Sequence, residues 1–72
     1  MTRQDIERIM QAQGYRCVIR EYIGRKGIAR DKLYARTRER RPRYRTFGNL
    51  EDVMKLDQDR FAQLVREKFA GV

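Results

Sequence analysis

The chain has 72 residues, 18 of them Lys or Arg and 10 Asp or Glu, for a net charge of +8. Residues 1–72 make one domain, and a domain this small buries only about 60% of its unfolded surface, which excludes a deep substrate cavity beside a full core. An apolar share of 40% still suffices for a thin two-layer fold, and a pI near 10.4 is the footprint of a polyanion binder.

Cys17 is the only cysteine, so no intrachain disulfide forms and a reducing compartment is expected. The first 25 residues hold no apolar run suited to a signal peptide, and nothing approaches the roughly 20 apolar residues of a membrane span. A cytoplasmic protein without a membrane partner is therefore expected.

Residues 1–14 read as a short helix. Thr2 is placed to cap it and Asp5 occupies the capping-box position, close to the positive end of the helix dipole. Ile6, Ile9 and Met10 share one helical face, and Gly14 is a natural stop. Arg3 and Arg8 balance Asp5 and Glu7, so this segment is neutral.

Residues 15–47 read as strands and hold all of the excess charge, twelve basic residues against Glu21, Asp31 and Glu39. Tyr15 to Ile23 is rich in β-branched and aromatic residues and forms the first strand. Gly24-Arg-Lys-Gly27 is a turn, and Asp31 to Arg38 alternates as a second strand. Arg40-Arg-Pro-Arg43 interrupts the pattern because Pro42 cannot donate to a ladder. Tyr44 to Phe47 is a short third strand, ended by Gly48-Asn49.

The remaining residues read as helix and carry a net charge of −1. Leu50, Val53 and Met54 have helical spacing with Asn49 as cap, and Asp57 is placed as a second cap, so the segment reads as one kinked helix or two. Phe61, Leu64, Val65 and Phe69 lie on one stripe, and Gly71 closes the segment. The expected fold is α+β, in the order α-β-β-β-α, with a three-stranded antiparallel sheet and both helical segments packed on one face.

Side chains alternate across a strand, so each strand offers one face to the helices and one to solvent. The expected inner face holds Tyr15, Cys17 and Ile19, then Leu33, Ala35 and Thr37, then Tyr44 and Thr46. The expected outer face holds Arg16, Arg20 and Tyr22 beside Val18 on the first strand, and Lys32, Tyr34, Arg36 and Arg38 on the second. Arg43, Arg45 and Phe47 complete it on the third. Arg25 and Lys26 in the turn, with Arg40 and Arg41 in the second connection, extend the basic surface at the sheet ends. Such a face repels itself until phosphates neutralise it and counterions are released. Guanidinium groups suit phosphates and guanine edges, and aromatic rings between them can stack on bases.

Catalytic readings find no support in the residues. There is no histidine for a triad, a general base or a zinc finger, and no Walker or GxGxxG loop. Tyr22-Ile-Gly24 matches half of a nuclease signature whose partner motif is absent. Asp57 and Asp59 suit a helix start, Glu51 and Asp52 suit the dipole, and Cys17 falls on the inner face as a core residue rather than a nucleophile. No cofactor, metal or catalytic centre is expected.

Leu33-Tyr-Ala-Arg-Thr-Arg38, followed by Arg43-Tyr-Arg-Thr-Phe-Gly48 and a helix, resembles the arm-type DNA-binding domain of tyrosine recombinases over about residues 30–70. The resemblance implies a three-stranded sheet in a DNA major groove backed by a C-terminal helix, with Tyr34, Arg36, Arg38, Arg43 and Arg45 at the DNA. The chain departs from that family in its extra N-terminal helix, the lack of an alanine-rich helix start, and the absence of a catalytic recombinase domain after it. The element order is also that of double-stranded RNA-binding domains, but Leu56-Asp-Gln-Asp59 stands where those carry basic residues. The sequence thus favours a nucleic-acid-binding module, DNA ahead of RNA. The alternative is a small adaptor that binds an acidic protein, or that pairs weakly with a second copy through the C-terminal helix.

Overall fold

The computed structural model describes residues 1–70. Helix α1 (Arg3–Ala12) leads into strands β1 (Arg16–Ile23), β2 (Ala29–Arg36) and β3 (Tyr44–Asn49), followed by a single helical turn α2 (Leu50–Val53) and helix α3 (Gln58–Phe69). The strands form one antiparallel meander in the order β1-β2-β3, with the helices on one face. The expected α+β architecture is the one observed. No helix among the described residues is long and apolar enough to cross a membrane.

The start of α1 is set locally. Thr2 Oγ1 accepts from the Asp5 N–H at 3.2 Å and Asp5 Oδ2 accepts from the Thr2 N–H at 2.9 Å, closing the capping box. The Thr2 backbone N–H bond is the main reason the Asp5 carboxyl lies below its ordinary range. Beyond the helix Gly14 takes φ +90°, which turns the chain into β1. Asp57 caps α3 by accepting from the Arg60 N–H at 2.7 Å, so the C-terminal third is two helices rather than one kinked one. The expected closure at Gly71 lies outside the described residues.

The amphipathic faces of these elements meet in one core. Ile6, Met10, Leu33, Ala35, Phe61 and Val65 are fully buried, and Leu50 and Val53 close it from α2. Tyr15 stacks on Phe69 with ring centroids 4.0 Å apart, and Gln13 Nε2 donates to the Ala62 carbonyl, tying α1 to α3. The apolar stripe of α3 packs into this core. Phe61 and Val65 have no exposure, and Leu64 and Phe69 are half-buried.

The strand limits differ from the sequence reading: β1 starts at Arg16 rather than Tyr15, and β2 starts at Ala29 rather than Asp31. Strand β2 ends at Arg36 because the Thr37 N–H bonds to the Arg43 carbonyl while Thr37 Oγ1 accepts from the Arg43 N–H. These bonds pinch off residues 38–43, the segment that holds Pro42, as a connection outside the ladder. Strand β3 runs on to Asn49, and its register on β2 shifts by one residue between Leu33 and Tyr34. That shift leaves Phe47 without a partner, a β-bulge followed by Gly48 at φ +82°. Asn49 makes no side-chain capping bond to α2; its Oδ1 accepts from the Tyr22 hydroxyl instead.

Candidate nucleic-acid interface

The ladder registers fix what the free face of the sheet carries. Arg16 lies opposite Arg36, Val18 opposite Tyr34, Arg20 opposite Lys32, and Tyr22 opposite Arg30. On the other side of β2, Tyr34 pairs with Thr46 and Arg36 with Tyr44. Cys17, Ile19, Leu33 and Ala35 point the other way and pack in or against the core, as the alternation predicts. No outward-facing residue of the three strands is acidic, and the Glu51 carboxylate of α2 reaches only Arg30, at the hairpin end.

Strand β3 faces the other way from the sequence expectation. Phe47 and Arg45 face the helices, while Tyr44 and Thr46 face outward, the reverse of the expected assignment. The Phe47 ring packs against Phe61 at a centroid distance of 5.6 Å. Strand parity then carries Arg45 to the same side, where its guanidinium lies 5.7 Å from the Phe69 ring centroid. Tyr44 is the aromatic that the outer face gains in exchange, and it is 41% exposed. Tyr44 and Phe47 are three apart and so prefer opposite faces of a regular strand, and the ring without a hydroxyl is the better core residue.

Two further residues leave the expected face. Arg38 lies beyond the end of β2 and lines a hollow with Glu7, Gln11, Arg16 and Cys17 at the α1 side. Arg43 precedes β3, pairs with Glu39 at 2.8 Å, and borders a hollow with Tyr15 and Phe69 on the helix side. Arg25 and Lys26 are exposed at the tip of the β1–β2 hairpin, whose turn is closed by the Gly27 N–H donating to the Gly24 carbonyl. Arg40 and Arg41 are exposed in the β2–β3 connection, at the opposite end of the sheet.

Arg16, Arg20, Tyr22, Lys32, Tyr34 and Arg36 thus share one surface, joined by Tyr44. Among the described residues, Arg3, Arg8, Arg30, Arg43 and Lys55 make ion pairs, whereas Arg16, Arg20, Lys32 and Arg36 have no carboxylate partner. Arg36 Nε is buried and finds no acceptor in the protein. The aromatic rings steady the cations instead. The Arg20 guanidinium lies 6.0 Å from the Tyr34 ring centroid and 5.5 Å from that of Tyr44, and Lys32 Nζ lies 5.5 Å from that of Tyr22. Two like-charge pairs, Arg16 with Arg36 and Arg20 with Lys32, stand directly opposite across β1 and β2, an arrangement that costs stability in the free protein.

The helix side has a different character. A hollow of about 580 Å³ beside the hairpin is lined by Arg3, Glu21, Ile28, Asp31, Glu51 and Met54 among others. Its charges are largely paired, Arg3 with Asp31 at 3.0 Å and Arg30 with Glu51. Cys17 is half-buried, and burial, reinforced by the charge of Glu7, pushes its thiol above the ordinary range. That shift disfavours the thiolate a nucleophile needs. No protein-family model matches the chain, and no curated protein and no solved structure matches it.

Proposed function

We propose that this protein binds nucleic acid, DNA ahead of RNA, through the outer face of its sheet. The observation that carries the reading is the set of four cations, Arg16, Arg20, Lys32 and Arg36, on one sheet face, none ion-paired with a carboxylate and standing as two directly opposed pairs. A fold has no structural use for that repulsion, and a polyanion relieves it. The resemblance of Leu33 to Gly48 to the arm-type domain of tyrosine recombinases supports a sheet face as the binding surface and DNA as the ligand. Arg25 and Lys26 at one end, and Arg40 and Arg41 at the other, would lengthen the contact along a phosphate backbone.

Each neutralised phosphate releases counterions, so affinity falls with salt. Four such contacts give a log–log slope of about −3.6 on duplex DNA, a loss of about 100-fold between 50 and 200 mM salt. Titration of the whole protein against fluorescent DNA at several salt concentrations measures the slope. A slope near zero, or no binding at 50 mM salt, would overturn the reading and turn attention to acidic protein partners.

A further inference from the structure

We infer that the outer face takes unpaired bases, so that the preferred ligand is a single-stranded stretch of nucleic acid, with Tyr44 and Tyr34 as stacking platforms. The inference deepens the nucleic-acid reading and rests on it. Its first support is the identity of the aromatic residues on that face. Tyr22, Tyr34 and Tyr44 fall on three different strands and run diagonally across the sheet, while Phe47 and Phe61, the rings without hydroxyls, are turned into the core. An aromatic ring on a solvent face forgoes the burial that such rings normally find, and Tyr44 is the most exposed aromatic ring among the described residues.

The second support is spacing. Tyr34 pairs with Thr46, and Tyr44 sits two residues before Thr46 on β3. Tyr34 and Tyr44 are therefore diagonal cross-strand neighbours, about 7–8 Å apart at the backbone. Bases stacked in a duplex rise only about 3.4 Å per step and present their edges, not their faces, to a groove. Two rings at the Tyr34–Tyr44 spacing match successive bases only where the strand is drawn out and unstacked, as it is on other basic sheet faces that hold single strands.

The third support is Arg20. Its guanidinium already sits near both rings, at 6.0 and 5.5 Å from their centroids, with no carboxylate to hold it elsewhere. A planar cation in that position can remain against a base that enters, or swing to the adjacent phosphate. Every base has a π-face, so the platform would tolerate many sequences, and the ribose or deoxyribose would decide between the two sources of single strand.

The test is binding of the full chain to a labelled 12-nucleotide DNA, its RNA counterpart and the matching DNA duplex at one salt concentration. Tyr44→Ala, Tyr34→Ala and Tyr44→Phe are compared with the parent protein. Tyr44 lies outside the core, so its variants keep the fold, which circular dichroism checks. The expected result is tighter binding of single strand than of duplex, and a loss of about 5- to 150-fold on single strand for each alanine variant. Duplex affinity should fall less than single-strand affinity, since a duplex offers the rings no open base face, and Tyr44→Phe should retain binding because the ring remains. Equal or better binding of duplex, or alanine variants that match the parent on single strand, would overturn the stacking inference and leave the nucleic-acid reading in place. Absence of salt-sensitive binding to all three would overturn both. A preference between the DNA and RNA strands names the source.

Discussion

The Phe47 ring meets Phe61 at 5.6 Å, and this contact decides which way β3 faces. With Phe47 inward, Arg45 follows it and Tyr44 is sent to the opposite surface. Truncation should show the asymmetry. Phe47→Ala should cost about 2 kcal/mol, less than a fully buried phenylalanine because Phe47 is only half-buried. Tyr44→Ala should stay within about 0.5 kcal/mol. Urea denaturation of both variants is the measurement, and a larger loss at Tyr44 would mean that β3 is turned the other way.

Much of this arrangement can be read from local residue chemistry. Thr2 and Asp5 announce the first helix, Asp57 announces the last, and the alternation Leu33, Ala35, Thr37 orients β2 without help from the rest of the chain. Strand β3 resists the same reading because Tyr-Arg-Thr-Phe places one aromatic ring on each parity. Only the Phe61 contact, made across the fold, chooses between them. The bulge at Phe47 has no local marker beyond Gly48. Asn49 is a good cap by type, but Tyr22, 27 residues earlier in sequence, competes for its side chain and wins. Extending the alternation puts Arg38 and Arg43 on the sheet face, but the paired Thr37–Arg43 bonds lie beyond the last ladder residues, Arg36 and Tyr44, and leave both arginines off that face.

The capping box gives a pH signature. The Asp5 carboxyl is lowered from its ordinary 3.8 by the Thr2 bonds, with Arg8 adding to the effect. A carboxyl depressed in the folded state contributes stability that is present above the unfolded value and lost as pH falls through the folded one. Stability of the parent protein should therefore decline as pH drops below about 3.8. Asp5→Asn should be less stable at neutral pH and should lack this share of the acid-side decline. Urea midpoints at pH 6, 4 and 2.5 test it, and parallel curves for the two proteins would assign the acid sensitivity to other carboxyls.

Cys17 should behave as a packing residue. Its thiol is raised above the ordinary 9.0 chiefly by burial, and Glu7 opposes ionisation further. Alkylation at pH 8 should be slower in the native protein than in urea, since the thiolate is the reacting form. A native rate equal to or above the unfolded rate would point to an activated cysteine and reopen the catalytic readings.

Arg20 and Arg45 separate the two sides of the sheet. Both are arginines on strands in the basic middle of the chain, yet Arg20 faces outward beside Tyr44 and Arg45 lies inward near Phe69. Arg20→Ala should weaken nucleic-acid binding and lower the magnitude of the salt slope by about one. Arg45→Ala should leave the slope unchanged, because charges separated by about a Debye length, 8–10 Å, are largely screened. Salt titrations of the two variants decide the point, and an equal change from both would place the nucleic acid on the helix side or around the sheet edge.

The opposition of Arg16 and Arg36 implies that binding and stability are in tension on this face. Arg16 is exposed at the start of β1, so a glutamate fits there without touching the core. Arg16→Glu replaces a cross-strand repulsion with an attraction, worth roughly 0.2–1 kcal/mol, which raises the melting temperature of a domain this size by about 1–8 °C at low salt. The same change removes one phosphate contact and adds a charge that repels the backbone, so affinity should fall by more than for Arg16→Ala. Salt should reduce the gain in melting temperature, since Arg16 is exposed. Thermal melts at 20 and 300 mM salt, beside binding at 50 mM, read both quantities from one variant. A protein that gains stability and loses binding is the signature of a charge cluster kept for a ligand. A variant that gains stability and binds as before would show that this end of the sheet lies outside the contact, and one that loses stability would show that the Arg16–Arg36 repulsion is already relieved in the free protein.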